Sequence, residues 1–166
     1  MKAGKESSAE QIKTLFDGAL GKACWHVSIG APTSPEFSLA LGEKIKREKP
    51  LENLQQPKVF RHNEGEVSIF VRCVWRLEQG SLVIVSSDDT ATDIKRGLSR
   101  ILGRKLVGLK TEKPAWDLSL EFANGLRLKI FCERTERRSR SRRNWQARIG
   151  IAKIYAGPGA QMQISK

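Results

Sequence analysis

The chain has little of what marks a secreted or membrane protein. Its three cysteines, Cys24, Cys73 and Cys132, are an odd number and lie far apart in apolar segments, which predicts buried thiols and no disulfide framework. No apolar run approaches the roughly 18 residues that a membrane span needs, and the polar N-terminus has no secretion-signal pattern. We therefore expect a protein of the reducing cytoplasm that makes no contact with a membrane.

The common motifs of enzymes and cofactor proteins are also absent. The sequence contains no G-x-S-x-G, no phosphate-binding glycine loop and no C-x-x-C or H-x-x-x-H spacing. Cys24 and His26, expected on one strand face, have no third group to orient them as a catalytic pair. Asp88, Asp89 and Asp93 stand at a predicted helix start, where carboxylates cap the helix. We expect no enzyme, no cofactor and no metal site.

Positive charge is what the sequence has in excess. The 166 residues include 30 Lys and Arg against 18 Asp and Glu, a formal net charge of +12. Residues 84–166 hold 18 of the basic and 8 of the acidic residues, and therefore carry +10 of the +12. Such an imbalance favours association with polyanions and does not determine the fold.

Apolar periodicity predicts the fold class. Period-two alternation recurs in about nine segments, whereas helical spacing is confined to residues 8–20 and 88–102. No βαβ repeat or linker divides the chain. The prediction is one α+β domain over residues 1–166, a curved, mostly antiparallel sheet of about nine strands with two helices. We expect residues 1–7 to be disordered and the polar residues 46–66 to form a long connection.

Two hairpins can be given a register. A three-residue loop at 78–80 would place Trp75 opposite Val83. In the second hairpin, a two-residue Asn124-Gly125 turn would mix apolar and charged residues on one face, whereas an Ala123–Gly125 loop with positive φ at the glycine separates them. The pairs that result are Phe122 with Leu126, Leu120 with Leu128 and Leu118 with Ile130.

An arginine-rich segment interrupts the alternation before Trp145. A sheet does not tolerate so many like charges side by side, so we expect an exposed loop over residues 133–144. Guanidinium groups bind phosphate bidentately, and a polyanion would touch this loop and the flanking strands. The candidate contacts are Arg127, Lys129, Arg134, Arg137, Arg138, Arg140, Arg142, Arg143 and Arg148. The alternative is a solvated loop without a partner, and Trp145, in phase with its strand, is expected in the core.

Five segments stand in a familiar order: Gly21–Trp25, Phe37–Gly42, Cys73–Leu77, Trp116–Leu126 with Leu128–Phe131, and Asn144-Trp145. Together they resemble small bacterial single-domain α+β proteins of unassigned function, some of them associated with toxin-immunity neighbourhoods. The resemblance implies a bacterial cytoplasmic domain and transfers no catalytic residue. The arginine-rich segment departs from that pattern.

Three classes of function remain open. The sequence favours a non-catalytic domain that binds another macromolecule, with a protein as the partner and an immunity-type role as one form. A net charge of +12 disfavours that form against nucleases, because such inhibitors tend to be acidic. The alternative is nucleic-acid binding through Arg134 to Arg143. The third is an enzyme, which would need a pocket that gathers His26 or His62 with carboxylates.

Overall fold

The computed structural model describes residues 8–30, 34–133, 143–159 and 161–166. The predictions for residues 1–7 and for most of the segment 133–144 fall outside these ranges. In chain order the elements are α1 (Ser8–Asp17), β1 (Cys24–Ile29), β2 (Phe37–Lys46), α2 (Lys58–His62), β3 (Asn63–Val71), β4 (Val74–Gln79), β5 (Leu82–Ser86), α3 (Ala91–Leu98), β6 (Leu106–Glu112), β7 (Asp117–Phe122), β8 (Leu126–Phe131), β9 (Trp145–Ile149), β10 (Ala152–Gly157) and β11 (Gln161–Ser165). None of the helices in these ranges has the length and apolar character to cross a membrane.

The strands form two antiparallel sheets. A six-stranded sheet has the order β1-β2-β3-β9-β10-β11, and a five-stranded sheet has the order β5-β4-β8-β7-β6. The α+β class and the antiparallel pairing are confirmed, but the single curved sheet of nine strands with two helices is wrong. Periodicity indicates that each strand has a buried face, and it does not say which strands share a sheet.

One hydrophobic core joins the inner faces of the two sheets. Phe37 of β2 meets Trp75 of β4 edge to face, with ring centroids 5.0 Å apart. Trp145 of β9 contacts Phe16 of α1 and donates its Nε1–H to the carbonyl oxygen of Trp116 at 2.8 Å. Trp145 is fully buried, as its phase in the strand predicts. Side chains on the other face of each sheet therefore point away from this core.

The β7–β8 hairpin has the predicted register. Leu118 pairs with Ile130 and Leu120 with Leu128. Three-residue loops of this kind usually form a type I turn followed by a glycine bulge, with positive φ at the glycine alone. Here Asn124 and Gly125 both have positive φ, at 70° and 74°. Asparagine tolerates this left-handed conformation better than most residues with a side chain.

The predicted register of the β4–β5 hairpin is wrong. Gln79 pairs with Leu82 and Leu77 with Val85, so the turn is Gly80-Ser81. A bulge in β5 between Val83 and Val85 takes up the extra residue. Apolar residues on both faces of β5 gave no signal for that bulge.

The polar region 46–66 is shorter as a connection than predicted. β2 runs to Lys46 and β3 begins at Asn63, and the residues between include the single turn of α2. This region folds back over the outer face of the six-stranded sheet, where the Phe60 ring stacks on His26 at 3.9 Å. We call residues 47–62 the roof.

The cap of α3 is the Thr90 hydroxyl and not one of the three predicted carboxylates. The Thr90 hydroxyl accepts the backbone N–H of Asp93 at 3.2 Å and donates to the Asp93 carboxylate at 2.8 Å. The Asp89 carboxylate accepts the backbone N–H of Ser86 at 2.7 Å. These local hydrogen bonds give Asp89 and Asp93 structural roles next to the helix start.

Candidate functional site

The structure separates the cations that were expected to flank the arginine-rich segment. Arg127 and Lys129 alternate with buried leucines on β8, so they lie on the outer face of the five-stranded sheet, where Arg127 pairs with Glu121. Arg148 of β9 and the preceding Arg143 lie on the outer face of the six-stranded sheet, on the opposite side of the core. Arg134, Arg137, Arg138, Arg140 and Arg142 lie outside the described residues.

The two ends of the arginine-rich segment meet at Asn144, a buried residue. The Asn144 Oδ1 accepts the backbone N–H of Glu133 at 3.1 Å, and Nδ2 donates to the Glu133 carbonyl oxygen at 3.3 Å. The backbone of Asn144 also bonds to Ala156 and to Arg72, at 2.6 and 2.9 Å. The segment therefore leaves the five-stranded sheet and enters the six-stranded sheet at one fixed point.

Two rows of side chains cross the outer face of the six-stranded sheet. One row is Ser28, Ser38, Phe70, Gln146, Tyr155 and Gln163. The other row is His26, Ala40, Ser68, Arg148, Lys153 and Ser165. Neighbouring strands are about 4.8 Å apart, so Phe70 and Tyr155, with β9 between them, stand about 10 Å apart.

An arginine guanidinium group lies over each of these two rings. The guanidinium carbon of Arg72 lies 4.6 Å from the Phe70 ring centroid, and that of Arg143 lies 3.8 Å from the Tyr155 centroid. Arg143 also donates to the Gln146 amide oxygen at 3.1 Å, between the rings. Within the described ranges Arg72 has no ion-pair partner, and its Nε is buried without a hydrogen bond. We define the basic face as Phe70, Arg72, Arg143, Gln146, Arg148, Lys153 and Tyr155.

A pocket of about 410 Å³ opens beside the basic face, between the roof and the sheet. Its floor consists of small side chains from β1, β2 and β3, namely Ser28, Ser38, Ala40 and Ser68. Its walls include Leu51, Gln56, Phe60 and Phe70. Arg47, Glu64 and Arg148 line one end, and Glu36 lies near the other end, beside Gly30 of the β1–β2 turn. We call this cavity the roofed pocket.

One carboxylate in the roofed pocket faces two guanidinium groups. The Glu64 Oε2 lies 3.5 Å from Arg47 Nη1 and 3.4 Å from Arg148 Nη2, so the three side chains together carry a net charge of +1. Burial lowers the pKa of Arg47, Glu64 opposes this shift and Arg148 adds to it. An arginine stays protonated through such a shift, and the cluster remains cationic.

The roof is held by hydrogen bonds and ring contacts. The Nε–H of Arg47 donates to the carbonyl oxygens of Phe60 and Asn63 at 3.2 and 3.1 Å. His26 Nε2 is 3.2 Å from the Gln56 amide oxygen, and burial lowers the pKa of this histidine. A bulge after Cys24 turns that thiol into the core and His26 outward, so the two residues do not share a strand face as predicted.

Ser28 and His26 are close, but they do not form a nucleophile and base. His26 Nε2 lies 3.3 Å from the Ser28 hydroxyl and also faces the Gln56 amide oxygen. An amide oxygen only accepts, so Nε2 carries the proton and cannot remove another from Ser28. Throughout the described part of the chain, no carboxylate is hydrogen-bonded to His26 to orient it. The geometry supports a structural role for His26.

Comparison of the chain with family models, curated proteins and solved structures gives no match. Sequence reasoning missed Phe70, Arg72 and Tyr155 of the basic face, and Arg47 and Ser38 of the roofed pocket. One feature of the sequence could have indicated the pocket. β1, β2 and β3 each have a serine at an outward-facing position, namely Ser28, Ser38 and Ser68, where a solvent-exposed strand face more often has a long charged side chain.

Proposed function

We propose that this protein is a non-catalytic binding domain whose basic face holds single-stranded nucleic acid. The observation that carries the proposal is the pair of arginine-covered rings, Phe70 with Arg72 and Tyr155 with Arg143, on one open sheet face. Single strands are held by stacking of bases on aromatic rings and guanidinium planes together with charge along the backbone. The face offers both.

Charge supports the same ligand. The basic face contains four cations, of which Arg148 pairs with Glu64 at its border, and the arginine-rich segment returns to the face at Arg143. Each phosphate that a cation neutralises on a single strand steepens the dependence of affinity on salt by about 0.7 in the log–log slope. Engagement of all six arginines from Arg134 to Arg143 would give a slope of about −4.

A protein partner, which the sequence favours, has less support from the geometry. The basic face consists of four cations, Gln146 and two rings that arginines cover, whereas protein interfaces have an apolar centre. The exposed large apolar residues are distributed over both sheets and the roof, for example Leu82, Val107 and Ile151. The three free cysteines fit a cytoplasmic location for this domain, which is part of the proposal.

Titration of a fluorescently labelled single-stranded RNA, followed by polarisation at low and moderate salt, tests the proposal. We expect the double variant Arg143→Ser/Lys153→Ser to weaken binding and to reduce the salt slope by about 1.4, since two phosphate contacts are lost. Tyr155→Leu keeps bulk but removes the ring, and should weaken binding about fivefold or more.

A matched control is available on the opposite face of the molecule. Arg127→Ser/Lys129→Ser removes the same two charges from the five-stranded sheet and should leave the RNA affinity and slope unchanged. Equal weakening by both double variants would mean that only net charge attracts RNA. That result, or no binding at low salt, would reject the basic face as the binding surface.

A further inference from the structure

We propose that the roofed pocket binds a small organic anion that has one acid group, a carboxylate or a phosphate monoester, and an apolar body. The acid group lies at the end formed by Arg47 and Arg148, and the body lies over Ala40 between Phe60 and Phe70. This site adjoins the nucleic-acid surface and shares Phe70 and Arg148 with it, but the inference does not depend on the proposed function.

The dimensions fit a small molecule. A volume of about 410 Å³ lies within the roughly 300 to 1,000 Å³ of ligand pockets. The space exists because the floor positions Ser38 and Ala40 carry small side chains, while the roof is fastened above them through Gln56 and Phe60. The pocket is thus a built feature of the sheet and the roof, with one face apolar and one end charged.

The charged end selects an anion. Glu64 neutralises one of the two guanidinium groups, and one positive charge remains. The hydrogen bonds of Arg47 to described residues use Nε and Nη1, so its Nη2 is left to donate to an oxyanion in the pocket. A guanidinium group and an oxyanion form strong charge-assisted hydrogen bonds, and partial burial of Arg47 reduces the competition from water.

The other end limits the charge of the ligand. Glu36, the residue before β2, lines the pocket at the end away from Arg47. A second acid group at that end would meet the Glu36 carboxylate and be repelled. Between the ends, the Ser38 hydroxyl lines the pocket and offers a polar contact to the middle of the ligand. These features favour a ligand with one acid group over a ligand of similar length with an acid group at each end.

Binding is tested on the whole protein by amide chemical shifts with three probes of similar shape, benzoate, phenyl phosphate and the neutral benzamide. We expect at least one of the two anions to shift the backbone amides of Ser38, Ala40 and Phe60 in a saturable way, at least tenfold more tightly than benzamide. Comparison of the two anions distinguishes a carboxylate site from a phosphate-ester site. Equal affinity for benzamide, or no saturable shift with either anion, would overturn the proposal.

A variant that fills the pocket identifies the cavity as the site. Ser38→Phe projects a ring from the floor into the space and should weaken anion binding at least tenfold while the melting temperature stays close to the parent value. Ser165→Phe, on the exposed edge strand of the same sheet, is the matched control and should leave binding unchanged. Retained affinity in a folded Ser38→Phe protein would contradict the assignment.

Two further variants keep the result interpretable. If Ser38→Phe does not fold, Ala40→Leu fills part of the pocket from the same floor with a smaller side chain. It should also weaken anion binding. Arg143→Ser/Lys153→Ser, outside the pocket lining, should leave the probes bound while it weakens RNA binding. Loss of RNA binding alone therefore refutes nothing about the pocket, and loss of probe binding alone refutes nothing about the basic face.

Discussion

At the scale of single residues, the Asn144 amide fixes the chain on both sides of the arginine-rich segment. Asn144→Ala removes both hydrogen bonds that the buried Asn144 amide makes to the backbone of Glu133. We expect a loss of about 1–3 kcal/mol in the free energy of unfolding, measured by urea denaturation. Asn63→Ala removes an exposed amide bonded to Val59 and should change stability by less than about 0.5 kcal/mol. Equal effects would contradict the role given to Asn144.

His26 makes stability depend on pH. Burial lowers the pKa of this histidine in the folded protein, so the unfolded chain binds a proton more readily. Its contribution is therefore fully present above the unfolded pKa of about 6.5 and is lost as the pH falls below it. Denaturation midpoints at pH 7.5 and pH 5 should differ less in His26→Gln than in the parent, whereas His62→Gln should retain the difference due to His26. An unchanged difference in His26→Gln would refute this origin.

At the scale of elements, α3 packs on β5 through a glycine. A Cβ added at Gly97 would collide with the Val85 side chain, with 2.7 Å to its Cβ. An alanine normally stabilises a helix interior by about 1 kcal/mol relative to glycine, but here we expect Gly97→Ala to destabilise the protein. The cost should shrink when Val85→Ala makes room, which a double-mutant cycle of unfolding free energies detects. Additive effects would mean that α3 shifts without strain.

Elements with strong local signals could be predicted from the sequence, and elements fixed by distant contacts could not. The β7–β8 hairpin was predictable because only one register puts the leucines of both strands on one face. The bulge in β5 and the single turn of α2 carry no such pattern. α2 is instead held by Arg47 and His26, which come from other parts of the chain. Five residues of helix provide too few hydrogen bonds to be recognised from local spacing.

At the scale of the whole molecule, sequence reasoning could not assign the strands to two sheets. Arg127 and Arg148 both flank the arginine-rich segment in sequence, but β8 and β9 belong to different sheets and the two side chains leave opposite sides of the core. Phe70 and Tyr155 lie far apart in the chain and become neighbours only because β9 pairs with both β3 and β10. The candidate site therefore depends on long-range pairing, which single-sequence periodicity does not determine.

The three thiols report on the integrity of the whole fold. Burial raises the pKa of Cys24 to about 12, and contact with Cys132 together with burial raises the pKa of Cys73. Only Cys132 is partly exposed, and thiolates are the reactive form. A thiol reagent at pH 8 should label one group in the folded protein and three after denaturation, and Cys132→Ser should abolish the fast label. Rapid labelling of all three in the native state would contradict the closed core.

Because Glu133 and Asn144 are in contact, the residues between them can be exchanged for another segment without moving either end. Since the two attachment points already touch, a short Gly-Ser bridge could substitute for residues 135–142 without pulling β8 and β9 out of their sheets. Related chains could therefore gain, lose or exchange this insert and keep the same scaffold, and an engineer could graft a different peptide there.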